Sequence, residues 1–122
     1  MKRVVFDNNV PARLARLLTA FEMKFARDLG WEQLSNGKLL EAVEKKGFDV
    51  LLTGDRSIPD EQTMVGRKIG IVCMSANSWK IVRDYGPEIS EALHKCKPGQ
   101  VLPVFCGEYS RRKRKTDVAD PG

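Results

Sequence analysis

Gly47-Phe48-Asp49-Val50-Leu51-Leu52-Thr53-Gly54-Asp55 is the stretch on which the fold turns. Asp49 to Thr53 reads as a short strand with no polar alternation, closed by Gly54-Asp55. Strands of that kind are buried on both faces, as in parallel sheets covered by helices. Working outward, Ser35-Asn36-Gly37 offers a helix start ahead of Leu39, Leu40 and Val43, and Gly47 ends that helix. On the other side, Ser57-Ile58-Pro59-Asp60 has the Ser-x-x-Asp spacing of a capping arrangement, so a short helix is expected, ending near Gly66. Ile69 to Met74 then repeats the pattern of a buried strand.

Further out the alternation continues. Arg3-Val4-Val5-Phe6 is a first strand, and Leu14, Leu17, Leu18 and Phe21 after Pro11 have the spacing of an amphipathic helix. Glu22 to Ala26 alternates weakly as a second strand, and Asp28 to Trp31 reads as a loop. From Trp79, the stripe Ile81, Val82, Tyr85, Ile89 and Leu93 marks a helix interrupted or kinked at Gly86-Pro87. Lys97-Pro98-Gly99 turns the chain into Val101 to Phe105, where Pro103 confines the last strand to a sheet edge. The order β-α-β-α-β-α-β-α-β predicts an α/β fold: a central, mostly parallel five-stranded sheet with helices on both faces.

The chain has 122 residues, 42% of them apolar and 30% charged, which suits one globular domain over residues 1–108. Residues 109–122 read as a basic C-terminal tail. No apolar run approaches the roughly 20 residues that span a bilayer, and an acid as early as Asp7 argues against a signal peptide. Cys73, Cys96 and Cys106 are odd in number and lack zinc-like spacing. Neither a disulfide framework nor a cysteine-based zinc site is therefore expected, and a reducing cytoplasm fits. The net charge of +5 is unevenly placed: residues 1–110 carry 16 Lys and Arg against 14 Asp and Glu. Arg111, Arg112, Lys113, Arg114 and Lys115 supply most of the excess. Such a run suits either a solvated terminus or sequence-independent contact with phosphates.

Two aspartates fall at strand ends, Asp7 after the first strand and Asp55 after the third. In open parallel sheets, ligands sit outside the carboxyl ends of strands. If the two strands are neighbours, the carboxylates converge and need a cation or a proton between them. Mg2+ or Mn2+ suits such oxygens, and a water held by the ion is acidic enough to attack a phosphodiester. The same positions also suit plain capping of backbone N–H groups ahead of a helix.

Three segments carry a resemblance: Phe6-Asp7-Asn8-Asn9-Val10-Pro11, then Leu29-Gly30-Trp31 with Leu34-Ser35-Asn36-Gly37-Lys38-Leu39-Leu40, then Gly47 through Arg56. Together with Ile69 to Met74 and Asn77 to Trp79, they resemble the PIN-like domain family of small bacterial proteins, related to VapC-type toxin ribonucleases. The resemblance covers nearly all of residues 3–105. It implies a three-layer α/β/α sandwich, an acidic cleft holding Mg2+ or Mn2+, and metal-dependent cleavage of RNA by the toxin of a toxin–antitoxin pair. Asp7 and Asp55 match the family's first-strand acid and later-strand acid, so both are expected as catalytic metal ligands. Related sequences often carry further acids where this chain has Asn36 and Ser57. The resemblance therefore implies weaker metal binding here, with Asn36 coordinating through its amide oxygen.

Other residues fit two roles each. Asn9, Asn77 and Trp79 flank strand ends beside the two acids; Trp79 suits stacking on a nucleobase or packing at a helix start. Arg56 suits a phosphate or an ion pair with Asp55. Ser57 would assist through oxygen or water contacts, Glu41 suits an outer contact or a solvated face, and Trp31 suits a cleft wall or an interface. His94 has no partner pattern, and Cys73 sits in a buried strand.

Three functions are compatible with these residues. The first is a Mg2+- or Mn2+-dependent endoribonuclease restrained by an antitoxin protein. The second is a catalytically weakened module that binds nucleic acid or a protein partner. The third is a receiver-like phosphoacceptor, suggested by the length, Asp55 and Ser75. A receiver, however, has paired acids after the first strand, where Asn8 follows Asp7, and a lysine after the fifth, which Val104-Phe105-Cys106 does not supply. Whether the chain is an enzyme, and whether it forms a homodimer, stays open at the level of sequence; a membrane partner is not expected.

Overall fold

The computed structural model describes residues 1–58 and 64–107. In chain order the elements are β1 (Arg3–Phe6), a 3-10 helix (Ala12–Leu17), β2 (Glu22–Phe25), a second 3-10 helix (Ala26–Leu29), α1 (Asn36–Lys45) and β3 (Val50–Thr53). There follow β4 (Gly70–Met74), α2 (Trp79–Val82), a third 3-10 helix (Arg83–Tyr85), α3 (Gly86–Lys95) and β5 (Val101–Val104). The five strands form one sheet in the order β2-β1-β3-β4-β5, and every neighbouring pair is parallel. The fold is thus α/β with an all-parallel sheet, as the alternation of elements predicts.

Parallel strands need a covered surface on each side, and the residues supply two. Val4, Phe6, Val50, Leu52, Val72 and Met74 point into one apolar cluster, which Leu14, Leu18, Val82, Ile89 and Leu93 complete. Val5, Leu51, Ile71 and Cys73 point the other way, against Leu39, Leu40 and Val43 of α1. This period of two within continuous apolar strands is why β3 and β4 are buried at every position. β5 lies at an edge with Pro103 exposed, in keeping with the missing N–H of proline. Cys73, Cys96 and Cys106 are free and buried, and burial pushes the Cys96 thiol up, with Lys2 acting in the opposite sense.

Several expectations are corrected. The segment after Pro11 is a 3-10 helix, not an α-helix. Only residues 7–21 join β1 to its parallel neighbour β2, and a 3-10 helix advances about 2.0 Å per residue against about 1.5 Å. The tighter winding thus returns the chain to the start of β2 with few residues while still burying Leu14 and Leu18. The expected loop at 28–31 begins in a second 3-10 helix, ended by Gly30 at φ 78° with Trp31 N–H on Ala26 O at 2.9 Å. Strand β2 stops at Phe25. The helix from Trp79 winds as α, 3-10 and α in succession, with Pro87 in the first turn of α3 where its lack of an N–H is harmless. Pro59 and Asp60 of the capping motif, and the basic tail, lie outside the described residues. Among the described residues no helix is long and apolar enough to cross a membrane.

Candidate functional site

From β1 the chain crosses to β2 on one side, and the next strand, β3, pairs on the other side of β1. The order reverses at this pair, and successive crossovers leave a crevice at the strands' carboxyl ends. Asp7 is the first residue beyond β1, and its N–H donates to Leu52 O of β3 at 2.9 Å. Asp55 stands two residues beyond β3. The two predicted acids therefore flank one switch point.

Thr53 joins them. It ends β3, is fully buried, and is the sole buried polar residue among those described. Its Oγ1 accepts the Asp55 N–H at 3.0 Å, and an amide can only donate. The hydroxyl proton is left for the second contact, the 2.8 Å bond to Asp7 Oδ2. One side chain thus ties the Asp7 carboxylate to the Asp55 backbone. Asp7 Oδ1 accepts the Asn8 N–H at 2.8 Å. Asp55 Oδ1 accepts both the Ser57 N–H at 2.9 Å and the Ser57 hydroxyl at 2.7 Å.

The capping role weighed for these aspartates holds for Asp55, where it inverts the expected arrangement: Asp55 caps the turn into Ser57-Ile58, while the Ser57 hydroxyl donates to it. The backbone amide that Asp7 accepts is that of the adjacent Asn8, and the 3-10 helix that follows has no side-chain cap. Acceptor capacity nevertheless survives. A carboxylate has about four lone-pair positions. Each Asp7 oxygen uses one, and Asp55 Oδ2 receives no hydrogen bond from the described residues.

Asn9 and Asn77 close the crevice around Gly54. Asn9 Oδ1 accepts the Gly54 N–H at 3.0 Å. A Cβ on Gly54 would lie 2.9 Å from Asn77 Cβ and 3.5 Å from Ala76 O, so glycine is what allows the loop after β4 to approach. Asn36 takes the first position of α1, half-buried, and the loop before it is fastened to the first strand's end by Asn8 Nδ2 on Glu32 O at 3.3 Å.

The remaining candidates stand elsewhere. Arg56 is exposed and makes no ion pair with Asp55. It lines a cavity of about 200 Å3 with Ser75, Pro103 and Phe105, toward the β5 edge. Glu41 is exposed beside Glu44, Lys45 and Lys68, away from the aspartates. Trp31 meets Phe48 edge-on, and Trp79 packs on the first apolar cluster with the Arg13 guanidinium 6.0 Å from its ring centre. His94 sits at the amino ends of the strands, its ring 4.5 Å from that of Phe21, which precedes β2.

Thr53 is the residue of this crevice that sequence reasoning passed over. Its signal was a lone hydroxyl closing Val50-Leu51-Leu52 immediately before Gly54-Asp55. Among the described residues no group of three or more His, Cys, Asp or Glu side chains is placed to hold a metal. No family model matches the chain, and no curated protein or solved structure matches it either.

Proposed function

We propose that the chain is a PIN-like phosphodiester hydrolase of three-layer α/β/α build, acting on RNA with Mg2+ or Mn2+. The observation that carries this reading is the pair Asp7 and Asp55 at the sheet's switch point, coupled through Thr53. The donor set suits a hard cation. It is oxygen only, and Mg2+ is commonly held by one or two carboxylates with substrate phosphates completing its shell. When bound, such an ion would polarise a phosphate and acidify water. The protein's own part is to hold the two strand ends in fixed register, to keep Asp55 Oδ2 open, and to pack Asn77 and the Asn9 amide against Gly54. Asn36 would add a neutral oxygen. Buried free thiols suit a reducing cytoplasm, and an antitoxin protein is the partner this reading calls for.

The test is cleavage of single-stranded RNA in Mn2+ by the parent chain, Asp7→Asn and Asp55→Asn. Each substitution is expected to reduce the rate by at least tenfold while leaving the fold intact. Cleavage unchanged by both would remove the metal centre. A second reading, the receiver-like phosphoacceptor, is favoured by one observation: the strand order 2-1-3-4-5 is that of flavodoxin-like sheets. An acid-labile phosphate on Asp55 after treatment with a small phosphodonor would establish it instead.

A further inference from the structure

Residues 1–110 carry a net charge of only +2, yet two segments beside the crevice hold four cations and no acid. Residues 9–21 contain Arg13 and Arg16, and residues 75–83 contain Lys80 and Arg83. All four are exposed, and none has an ion-pair partner among the described residues. Asp84, the next acid along the chain, forms no ion pair with them.

The winding of the backbone turns these charges into a pattern. A 3-10 helix has three residues per turn, so side chains at i and i+3 eclipse. Arg13 and Arg16 occupy such positions on the first 3-10 helix, stacked on its exposed side while Leu14 faces the core. Lys80 and Arg83 have the same spacing at the junction of α2 with the third 3-10 helix. The two elements pack together, with Arg13 over Trp79. Both begin at the crevice, since Asn9 binds Gly54 and Asn77 lies against it. The cations thus form two short rows leading away from Asp7 and Asp55.

We infer that this two-element face is a phosphate-tracking surface for single-stranded RNA, with successive phosphates on Arg13 and Arg16 and on Lys80 and Arg83. That the strand ends at the crevice rests on the proposed hydrolase; the surface itself rests on charge and geometry alone. Its test is fluorescence anisotropy of a labelled oligouridine strand with the full-length chain, in chelator so that no cleavage occurs.

Each cation–phosphate contact contributes a slope of about 0.7 in log affinity against log salt for single strands. Losing two contacts should lower the slope by about 1.4 and weaken binding about tenfold at 0.15 M salt. This is expected for Arg13→Ala/Arg16→Ala and for Lys80→Ala/Arg83→Ala. Lys45→Ala/Lys46→Ala removes the same charge from exposed positions at the end of α1 and should change affinity less than twofold. The inference is overturned if that control weakens binding equally, or if the parent binds no RNA. It is also overturned if substituting the basic residues of 111–115 abolishes affinity while the four surface positions contribute nothing. Unaltered cleavage by Asp7→Asn would count against the hydrolase and leave the surface standing.

Discussion

Replacing Thr53 by valine removes the hydroxyl between the two acids and little else, because the side chains have nearly the same shape. Two hydrogen bonds disappear inside a fully buried position: one to a carboxylate at 2.8 Å and one from the Asp55 amide at 3.0 Å. A bond to a charged group contributes about 1.5–3 kcal/mol and a neutral one about 1. The extra methyl returns up to about 0.8 kcal/mol of burial. The expected cost of Thr53→Val is thus about 2–3 kcal/mol, read as a shift in the urea midpoint at unchanged slope. Thr53→Ser keeps both bonds and loses one buried methyl, so it should cost about 1 kcal/mol. A cycle with Asp7→Ala isolates the pair, and a coupling of at least 1 kcal/mol is expected. If valine proves milder than serine, or the two substitutions add to within 0.5 kcal/mol, the hydroxyl is not the link described here.

Two further outcomes test other parts of the structure. The Glu44 carboxylate accepts the Lys68 N–H at 2.6 Å and the Arg67 guanidinium at 2.7 Å, and these contacts hold its pKa below the ordinary 4.5. Its stabilisation is therefore complete above pH 4.5 and fades as pH falls below that value toward the lowered one. Glu44→Gln should cost about 1–2 kcal/mol at neutral pH, and its stability curve should converge on the parent's in acid; a gap independent of pH rejects the assignment. Gly54→Ala places a methyl 2.9 Å from Asn77 Cβ and should cost about 1–3 kcal/mol in thermal or urea unfolding. Combining it with Asn77→Gly should recover most of the loss, and no recovery would mean the strain lies elsewhere.

The sheet was legible because β3 and β4 are continuous apolar runs between turn residues, and their alternation with helical segments favours parallel, doubly covered strands. Neighbourhood of β1 and β3 was the one condition on which the convergence of Asp7 and Asp55 depended, and it concerns contacts far apart in the chain. No local pattern encodes strand order. The first crossover was misread for a related reason: leucines at i, i+3 and i+4 fit a 3-10 helix of six residues as well as an α-helix, and the choice follows from the distance back to β2. Thr53 stayed hidden because threonine is an ordinary strand former. Its role exists only once a carboxylate from another strand lies 2.8 Å away. The pairing of Arg13 with Arg16 likewise appears only with the 3-10 winding.

The hydroxyl that ties the two acids together also occupies one of them, and Ser57 occupies the other. Thr53 and Asn8 each take a lone-pair position on Asp7, and Ser57 takes two on Asp55, so an ion entering this crevice meets carboxylates already partly satisfied. Two such groups hold a divalent cation less firmly than three or four would, and the balance of its shell has to come from elsewhere. On the proposed reading, the strand that the cationic face carries brings phosphate oxygens to that position. Metal and RNA would then each strengthen the other's binding, and by linkage the coupling is the same measured from either side. Mn2+ affinity with and without a non-cleavable RNA strand reads it directly: tighter binding with RNA in the parent, and loss of that enhancement in Arg13→Ala/Arg16→Ala, is the expected result. Equal Mn2+ affinity with and without the strand would separate the acidic crevice from the cationic face and leave them as unconnected features of one fold.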